Sequence, residues 1–497
     1  MSKNTDFDLV IIGGGINGAG IARDAAGRGL RVLLAEQDDL ASATSSRSSK
    51  LIHGGLRYLE TYQFRLVREA LQEREVLMQL APHIIQPLRF VLPHVPAMRP
   101  RWMIQTGLWL YDHIGGPISL PRSHALKLDA SSPHSAMGRP LLPTYTQGFA
   151  YSDCWVEDMR LVVLNAMDAA GRGAVIKTRT RLTAAAAQDG YWNIRLTGPN
   201  GQDEVRARVL VNAAGPWVGE VAGLLNNQPA KSQQPVRLIK GSHLVVPRLY
   251  EGDWAYICQN EDGRVVFFLP YEQDFTLIGT TDIPFDGNPA SVTCSDEERD
   301  YLLGVAARFF RHPPSSFSVI HSFAGVRSLY DDGKANAKDI TRDYVLKFEQ
   351  QPAPLLSIYG GKITTYRRLA EHALNELAPL FPSLDAPWTG LVSLPGGDLG
   401  TDLASFTAER AQRWPWLTSD LLRRWCRLYG TRIGHIVGSA ASMADLGEQL
   451  APGLYEAEAD YLQTAEFAQT AEDMLWRRTR LGLRLTPGQV AHLASRL

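Results

Sequence analysis

Apolar residues near the start of the chain fall into two short uninterrupted runs, Leu9-Val10-Ile11-Ile12 and Val32-Leu33-Leu34-Ala35. Runs of this length without alternation predict strands buried on both faces. Between them, Ile16 to Gly29 carries the small residues Ala19, Ala22, Ala25 and Ala26, which predicts a helix lying close on a sheet. Together the three elements form a βαβ unit. Residues 39–57 lose all periodicity and are rich in Ser, Thr and Gly, the pattern of a loop threaded along a ligand. An amphipathic helix is predicted over Gln63 to Leu80. Residues 93–143 are proline-rich and helical in pattern only over 102–114, whereas Arg172 to Leu210 alternates as strands, with a turn at Pro199-Asn200-Gly201. Strand-like runs continue across 236–285, among them Val265-Val266-Phe267-Phe268 and Thr276-Leu277-Ile278, and Leu355-Leu356-Ser357-Ile358 reads as the last strand. Beyond Pro395-Gly396-Gly397 the β-branched runs vanish and the composition turns helical, which sets a domain boundary near 390–398.

Composition changes this picture little. The 497 residues exceed what one core usually holds, so two or three units are expected. A formal net charge of −1 gives no global field for nucleic acid. Cys154, Cys258, Cys294 and Cys426 stand far apart with no CxxC pair, so neither a disulfide framework nor a zinc site is expected. The first residues show neither a signal-like apolar core nor an Arg-rich presequence. No run is long and apolar enough to span a bilayer. A cytosolic protein is expected, or one on a membrane face.

Chemistry enters at the first turn. Gly13, Gly15 and Gly18 stand in G-x-G-x-x-G register between a predicted strand and helix, and Glu36 ends the second strand. That arrangement brings a pyrophosphate to the helix N-terminus and an acid to the adenosine ribose. The fingerprint alone leaves NAD and FAD open. Two further strand-to-glycine junctions follow, at Asn212-Ala213-Ala214-Gly215-Pro216-Trp217 and at Gly360-Gly361-Lys362, the latter followed by Thr364. Three such junctions, with the hydroxyl-rich segment from Ser42, favour a cofactor as long as FAD over an NAD-dependent dehydrogenase.

With GGGINGAGIARDAAGRGLRV, TSSRSSKLIHGGLRYLE, YSDCWVEDMRLV, IKGSH, IGTTD, FAGVR, ITRDY, GGKITTYR and LWRRT in order, the chain resembles the FAD-dependent glycerol-3-phosphate dehydrogenases, the bacterial respiratory type in particular. The resemblance implies a Rossmann-type FAD-binding domain, a D-amino-acid-oxidase-like mixed-sheet substrate domain and a C-terminal helical domain, an α/β and α+β architecture. On this reading residues 1–390 form the oxidoreductase body. Its FAD-binding parts are about 6–80, 145–220 and 350–385, its substrate parts about 81–144 and 221–349, and residues 391–497 are the helical domain. It further implies oxidation of sn-glycerol 3-phosphate to dihydroxyacetone phosphate, with electrons passing to ubiquinone or menaquinone from the cytoplasmic face of the inner membrane. A homodimer is the association expected of such a membrane-face flavoenzyme. The same half-reaction with oxygen as acceptor, an oxidase of another small substrate, and a flavin-stabilised scaffold without turnover stay open.

Expected cofactor contacts are Gly13, Gly14, Gly15, Asn17, Gly18, Glu36, Thr44, Ser45, Ser46, Lys50, Leu51, Ile52, His53, Ala214, Gly215, Trp217, Gly361, Lys362 and Thr364. Arginine suits a phosphate dianion because its fork matches two oxygens at once, and the family pattern places Arg57, Tyr58 and Arg327 there. A histidine suits removal of the C2 hydroxyl proton, and His243 matches the family's substrate-site histidine. Lys362 would stabilise developing alkoxide or reduced flavin, and Thr281 would hydrogen-bond substrate. For the membrane surface, the segment around Trp102, Leu108, Trp109 and Tyr111, flanked by Arg99 and Arg101, has the make-up of an interfacial helix.

Overall fold

A computed structural model describes residues 6–95, 98–225, 236–330 and 343–497. Its nucleotide-side sheet is centred on the predicted strand Phe7–Ile12, flanked in parallel by Gly201–Asn212 and Val32–Ala35. Across it the order is Val345–Glu349, Leu355–Tyr359, Gly201–Asn212, Phe7–Ile12, Val32–Ala35 and Val175–Lys177, only the first edge strand running antiparallel. The outer half of Gly201–Asn212 continues into an antiparallel meander with Tyr191–Gly198 and Arg181–Gln188. The helix Ile16–Gly27 packs between Asp158–Gly171 and Tyr366–Leu377, as its alanines allow. It ends where Gly29 adopts φ +85°.

The second sheet is mixed and ten-stranded. Its long members are Ile85–His94, Gln147–Val156, Val236–Pro247 and His321–Tyr330. The last two pair antiparallel along their whole length, with Ile239 opposite Arg327 and His243 opposite Phe323. Two assignments shift. Gln147–Val156, expected with the cofactor part, pairs with Ile85–His94 and with the short strand Leu51–Ile52 in this second sheet. Being buried almost throughout, it carries no alternation to tell which sheet owns it. Val345–Glu349, expected with the substrate part, is instead the edge of the nucleotide-side sheet.

The helix expected over Gln63 to Leu80 spans Phe64–Leu80, and that over 102–114 spans Arg101–Ile114. Beyond residue 397 the chain is mainly helical, with Leu403–Arg413, Ser419–Tyr429, Glu456–Glu466 and Pro487–Arg496, a π-helical turn Asp473–Arg478 and one small hairpin, Gln449–Ala451 with Leu454–Tyr455. These helices share one apolar core with the nucleotide side, in which Trp425, Tyr429 and Met474 join Leu161 and Leu164. A buried ion pair, Arg160 with Glu466 (Nη2 to Oε1 2.8 Å), crosses the same boundary.

Candidate functional site

The strand-to-helix turn is built by glycines with separable duties. A Cβ on Gly18 would lie 1.9 Å from the Gly13 carbonyl oxygen, so only glycine lets the helix sit this close. Gly13, at φ +113°, faces the Ala213 carbonyl oxygen, which would lie 2.5 Å from a Cβ. Gly15 is different: it caps a helix that has no side-chain cap, and its nearest neighbour is the Ser45 hydroxyl. Ser45 Oγ accepts the Ile16 N–H at 3.0 Å, which ties the hydroxyl-rich loop to the turn.

Glu36 accepts from the Gly14 and Asp38 N–H groups at 2.6 and 2.9 Å. Burial pushes its carboxyl up to about 7 despite these two bonds, and Asp38 and Asp39 add to the rise. A carboxylate in this state gains from any further donor that reaches it.

From this turn one cavity runs past Ser42 to Ser45 and Ala213 to Trp217 as far as Arg57, Tyr58, Arg327 and Gly360 to Lys362. Gly361 is at φ +98° against Asn17, whose Nδ2 donates to the Gly360 carbonyl at 3.0 Å. At the far end the Lys362 ammonium lies 3.8 Å over the Tyr58 ring. The Arg327 guanidinium donates to Asp282 at 2.9 Å, both half-exposed. The first and third predicted junctions and the two arginines thus share one wall, although Arg57 and Lys362 are some 300 positions apart in sequence.

Other expected residues sit behind that wall. His243 is only 2% exposed, stacked on Phe323 with centroids 4.9 Å apart, and its Nε2 meets Ser49 Oγ at 2.9 Å. Desolvation, then Lys50 and Arg327, hold the imidazole at about 3, so it is neutral at any physiological pH. His53 is similarly held, at about 4, by desolvation and Lys362, and its N–H donates to Thr364 Oγ1 at 3.2 Å. Thr281 is buried away from the cavity. Its hydroxyl donates to Glu298 (2.7 Å) and accepts the Ser242 N–H (2.8 Å), so the polar group that reaches the cavity is Asp282, one residue on. Lys50 likewise does not face the cavity. Its ammonium is 1% exposed and bonded to Asp158 at 2.9 and 3.0 Å. Leu51 and Ile52 form the edge of the second sheet, Ser46 Oγ donates to the Ala43 carbonyl at 3.1 Å, and Gly14 faces Glu36 and Leu40.

The structure also adds residues that sequence patterns did not single out. Thr180, Arg181 and Leu182 line the cavity, the Thr180 N–H donating to the Glu36 carbonyl at 2.7 Å, and Asp262, Arg264 and Ser328 line it as well. Apart from Ser328, which directly follows Arg327, each comes from an element distant in sequence with no local motif to mark it. Among the described residues no group of His, Cys, Asp and Glu could hold a metal ion.

Residues 8–367 match the family described as FAD dependent oxidoreductase, and residues 388–494 match the C-terminal domain of alpha-glycerophosphate oxidase. The glycerol-3-phosphate dehydrogenase of Pseudomonas aeruginosa is 52% identical over 494 residues, covering 99% of this chain and 95% of that protein. The D-erythritol 1-phosphate dehydrogenase of Brucella abortus is 49% identical, covering 99% and 97%. Among solved structures, the glycerol-3-phosphate dehydrogenase of Bacillus halodurans complexed with FAD superposes with a TM-score of 0.75 at 26% identity, over 100% of this chain and 94% of that one. On matches this extensive, the chain belongs to the FAD-dependent oxidoreductase family, in its glycerol-3-phosphate dehydrogenase branch.

Proposed function

We propose that this protein binds FAD along the cavity and oxidises sn-glycerol 3-phosphate to dihydroxyacetone phosphate, giving the electrons to a membrane quinone. The observation that carries the reading is the single cavity with a nucleotide-type turn at one end and Arg57, Lys362 and Arg327 at the other. The residues present fit the cofactor. Gly15 brings no capping side chain and Ser45 meets only the Ile16 N–H of the helix end, Glu36 gains from a donor, and the buried Asn17 Oδ1 has no hydrogen-bond partner among the described residues.

FAD, when bound, supplies two-electron hydride acceptance, chemistry that no side chain here offers. The protein's share is to bind, orient and move a proton. Arg57 and Arg327 neutralise the phosphate dianion, Arg327 exchanging its Asp282 partner for phosphate oxygens. The Lys362 ammonium, braced on Tyr58, favours negative charge on the reacting oxygen. We assign His243 as acceptor of the C2 hydroxyl proton: it stands behind the cavity wall with its imidazole held neutral by burial, so the proton would reach Nε2 through Ser49 Oγ, and the negative charge arriving with the substrate phosphate would have to offset the imidazolium.

Peripheral membrane contact is supported by the helix Arg101–Ile114, which exposes Trp102 (67%) and Trp109 (59%). Tyr62 (79% exposed) and Phe64 add to the aromatic surface. Among the described residues no helix is long and apolar enough to cross a membrane.

A second reading, a longer polyol monophosphate, is favoured by the Brucella relative and by the further polar lining that Asp262, Arg264 and Ser328 give the cavity. Anaerobic addition of glycerol 3-phosphate or D-erythritol 1-phosphate to the holoenzyme separates the two. The flavin band bleaches with the true substrate, and a soluble quinone restores it faster than oxygen does. Bleaching by erythritol phosphate alone would move the assignment to the second reading. A band that neither compound changes would refute both.

A further inference from the structure

Arg480 follows the π-helical turn of the C-terminal domain with a left-handed backbone, φ 59°. Its buried guanidinium is 2.6 Å from Glu157, 3.3 Å from Asp158 and 3.4 Å from Glu272. Arg427, from the helix Ser419–Tyr429, reaches Glu272 at 2.7 Å. Asp158 is the hinge of this cluster. It also binds the Lys50 ammonium and accepts the Ser48 hydroxyl at 2.8 Å, while Lys50 Nζ donates to the Ser46 carbonyl at 3.0 Å. The hydroxyl-rich loop is therefore wound around one buried Lys–Asp pair. Lys50 itself is left-handed at φ 57°, a conformation that tertiary contacts must hold for a residue with a side chain.

Both faces of the wound loop touch the site. Ser49, between Ser48 and Lys50, carries the contact to His243 Nε2, and the Lys50 ammonium lies 5.3 Å over the same Phe323 ring that stacks on His243. Ser45, at the other end of the loop, holds the Ile16 N–H at the glycine turn. Three cations, Lys50, Arg427 and Arg480, balance three carboxylates, Glu157, Asp158 and Glu272. Removing Arg480 strands Glu157, its nearest partner at 2.6 Å, and takes a cation away from 3.3 Å of Asp158, so the carboxylates of the cluster rearrange and Asp158 loosens its hold on Lys50 and Ser48.

We propose that Arg480 is a positioning residue. Through Asp158 and Lys50 the C-terminal domain holds the 45–50 loop in the geometry that the cofactor turn and His243 require, although Arg480 lines no part of the cavity. The inference rests on the FAD and His243 assignments above. Its main readout, cofactor affinity, does not depend on which substrate is turned over.

The test compares R480M and R480K with R424M. Arg424 pairs with Glu458 at 2.6 Å inside the C-terminal domain and reaches the cluster only as a weaker charge felt by Glu272, with no contact to Asp158 or Lys50, so its loss reports chiefly destabilisation. Flavin fluorescence gives the FAD dissociation constant, absorption gives the flavin band, and steady-state rates separate kcat from KM. In R480M, FAD binding is expected to weaken about tenfold or more, the flavin band to shift, and kcat to fall further than KM changes. R480K should recover most of this, because it restores the charge. R424M should lower the melting temperature yet keep FAD affinity and kcat within about twofold. Wild-type affinity and spectrum in R480M, or equal losses in R424M, would overturn the proposal. If R480M yields no folded protein, S48A decides, because it removes the tie to Asp158 without stranding a charge. Unchanged FAD affinity and spectrum in S48A would then overturn it. A wild-type enzyme that oxidises neither polyol phosphate would sink the proposed function and leave the affinity comparison intact.

Discussion

Glu36 should make FAD affinity depend on pH, with stability responding in the opposite sense. In the folded chain its carboxyl rises from 4.5 to about 7, mainly through burial. Holding the ionised form there costs about 3 kcal/mol. For a carboxyl with a raised folded value the sign is fixed. Below about 4.5 both states are protonated and the group contributes nothing. Between 4.5 and 7 the unfolded chain ionises and the folded one does not, so apoprotein stability falls as pH rises and stays lowered above about 7. Ribose hydroxyls, as donors, favour the carboxylate. Cofactor binding should therefore weaken as pH falls below about 7, by at most about tenfold per unit and about thirtyfold by pH 5.5. Titrating apoprotein with FAD between pH 5.5 and 8.5, with flavin fluorescence as signal, measures the slope. E36Q should flatten it, bind FAD more weakly at pH 8, and melt no lower than the unmutated apoprotein at that pH. A pH-independent dissociation constant in the unmutated protein, or an E36Q variant with the full slope, would refute this reasoning.

Three further outcomes follow from the same structure. R327K should raise the substrate KM about tenfold or more, with FAD content unchanged, because lysine cannot match two phosphate oxygens at once; steady-state kinetics on the holoenzyme checks it. W102D/W109D should release the protein from anionic phospholipid vesicles in a sedimentation assay while leaving turnover with a soluble acceptor within about twofold, since both side chains are solvent-facing. E466A should destabilise by about 3–5 kcal/mol, read as a lowered denaturant midpoint, because it strands the buried Arg160 guanidinium.

What the sequence disclosed depended on how local the information was. The strand Phe7–Ile12, the glycine turn and Glu36 lie within thirty residues, and each leaves a composition or spacing signature, so they were readable directly. Arg57 and Arg327 were identified only through resemblance, since nothing in an arginine's own neighbourhood says that it faces a cavity, whereas Lys362 stood in a readable strand-to-glycine junction and owed only its role to the resemblance. Lys50 and Thr281 show the limit of motif reasoning. A polar side chain inside a motif was taken to face ligand, whereas Asp158 occupies the first and Glu298 with Ser242 the second. Asp158 and Arg480 were not singled out for the site at all. They are 322 positions apart, and buried charge pairs of that separation have no sequence periodicity.

The full-length pairing of Val236–Pro247 with His321–Tyr330 acts as a ruler. Four residues separate His243 from Ile239, and Ile239 is opposite Arg327. At about 3.3 Å per residue the backbones of the histidine and the phosphate-side arginine are offset by about 13 Å of strand, a register that fixes where the Arg327 side chain, reaching back towards Gly241, sets out from. Substrates would be sorted by how far the reacting carbon stands from the phosphate. A single inserted residue in His321–Tyr330 would turn Arg327 to the opposite face of the sheet and erase the mark from which that length is measured.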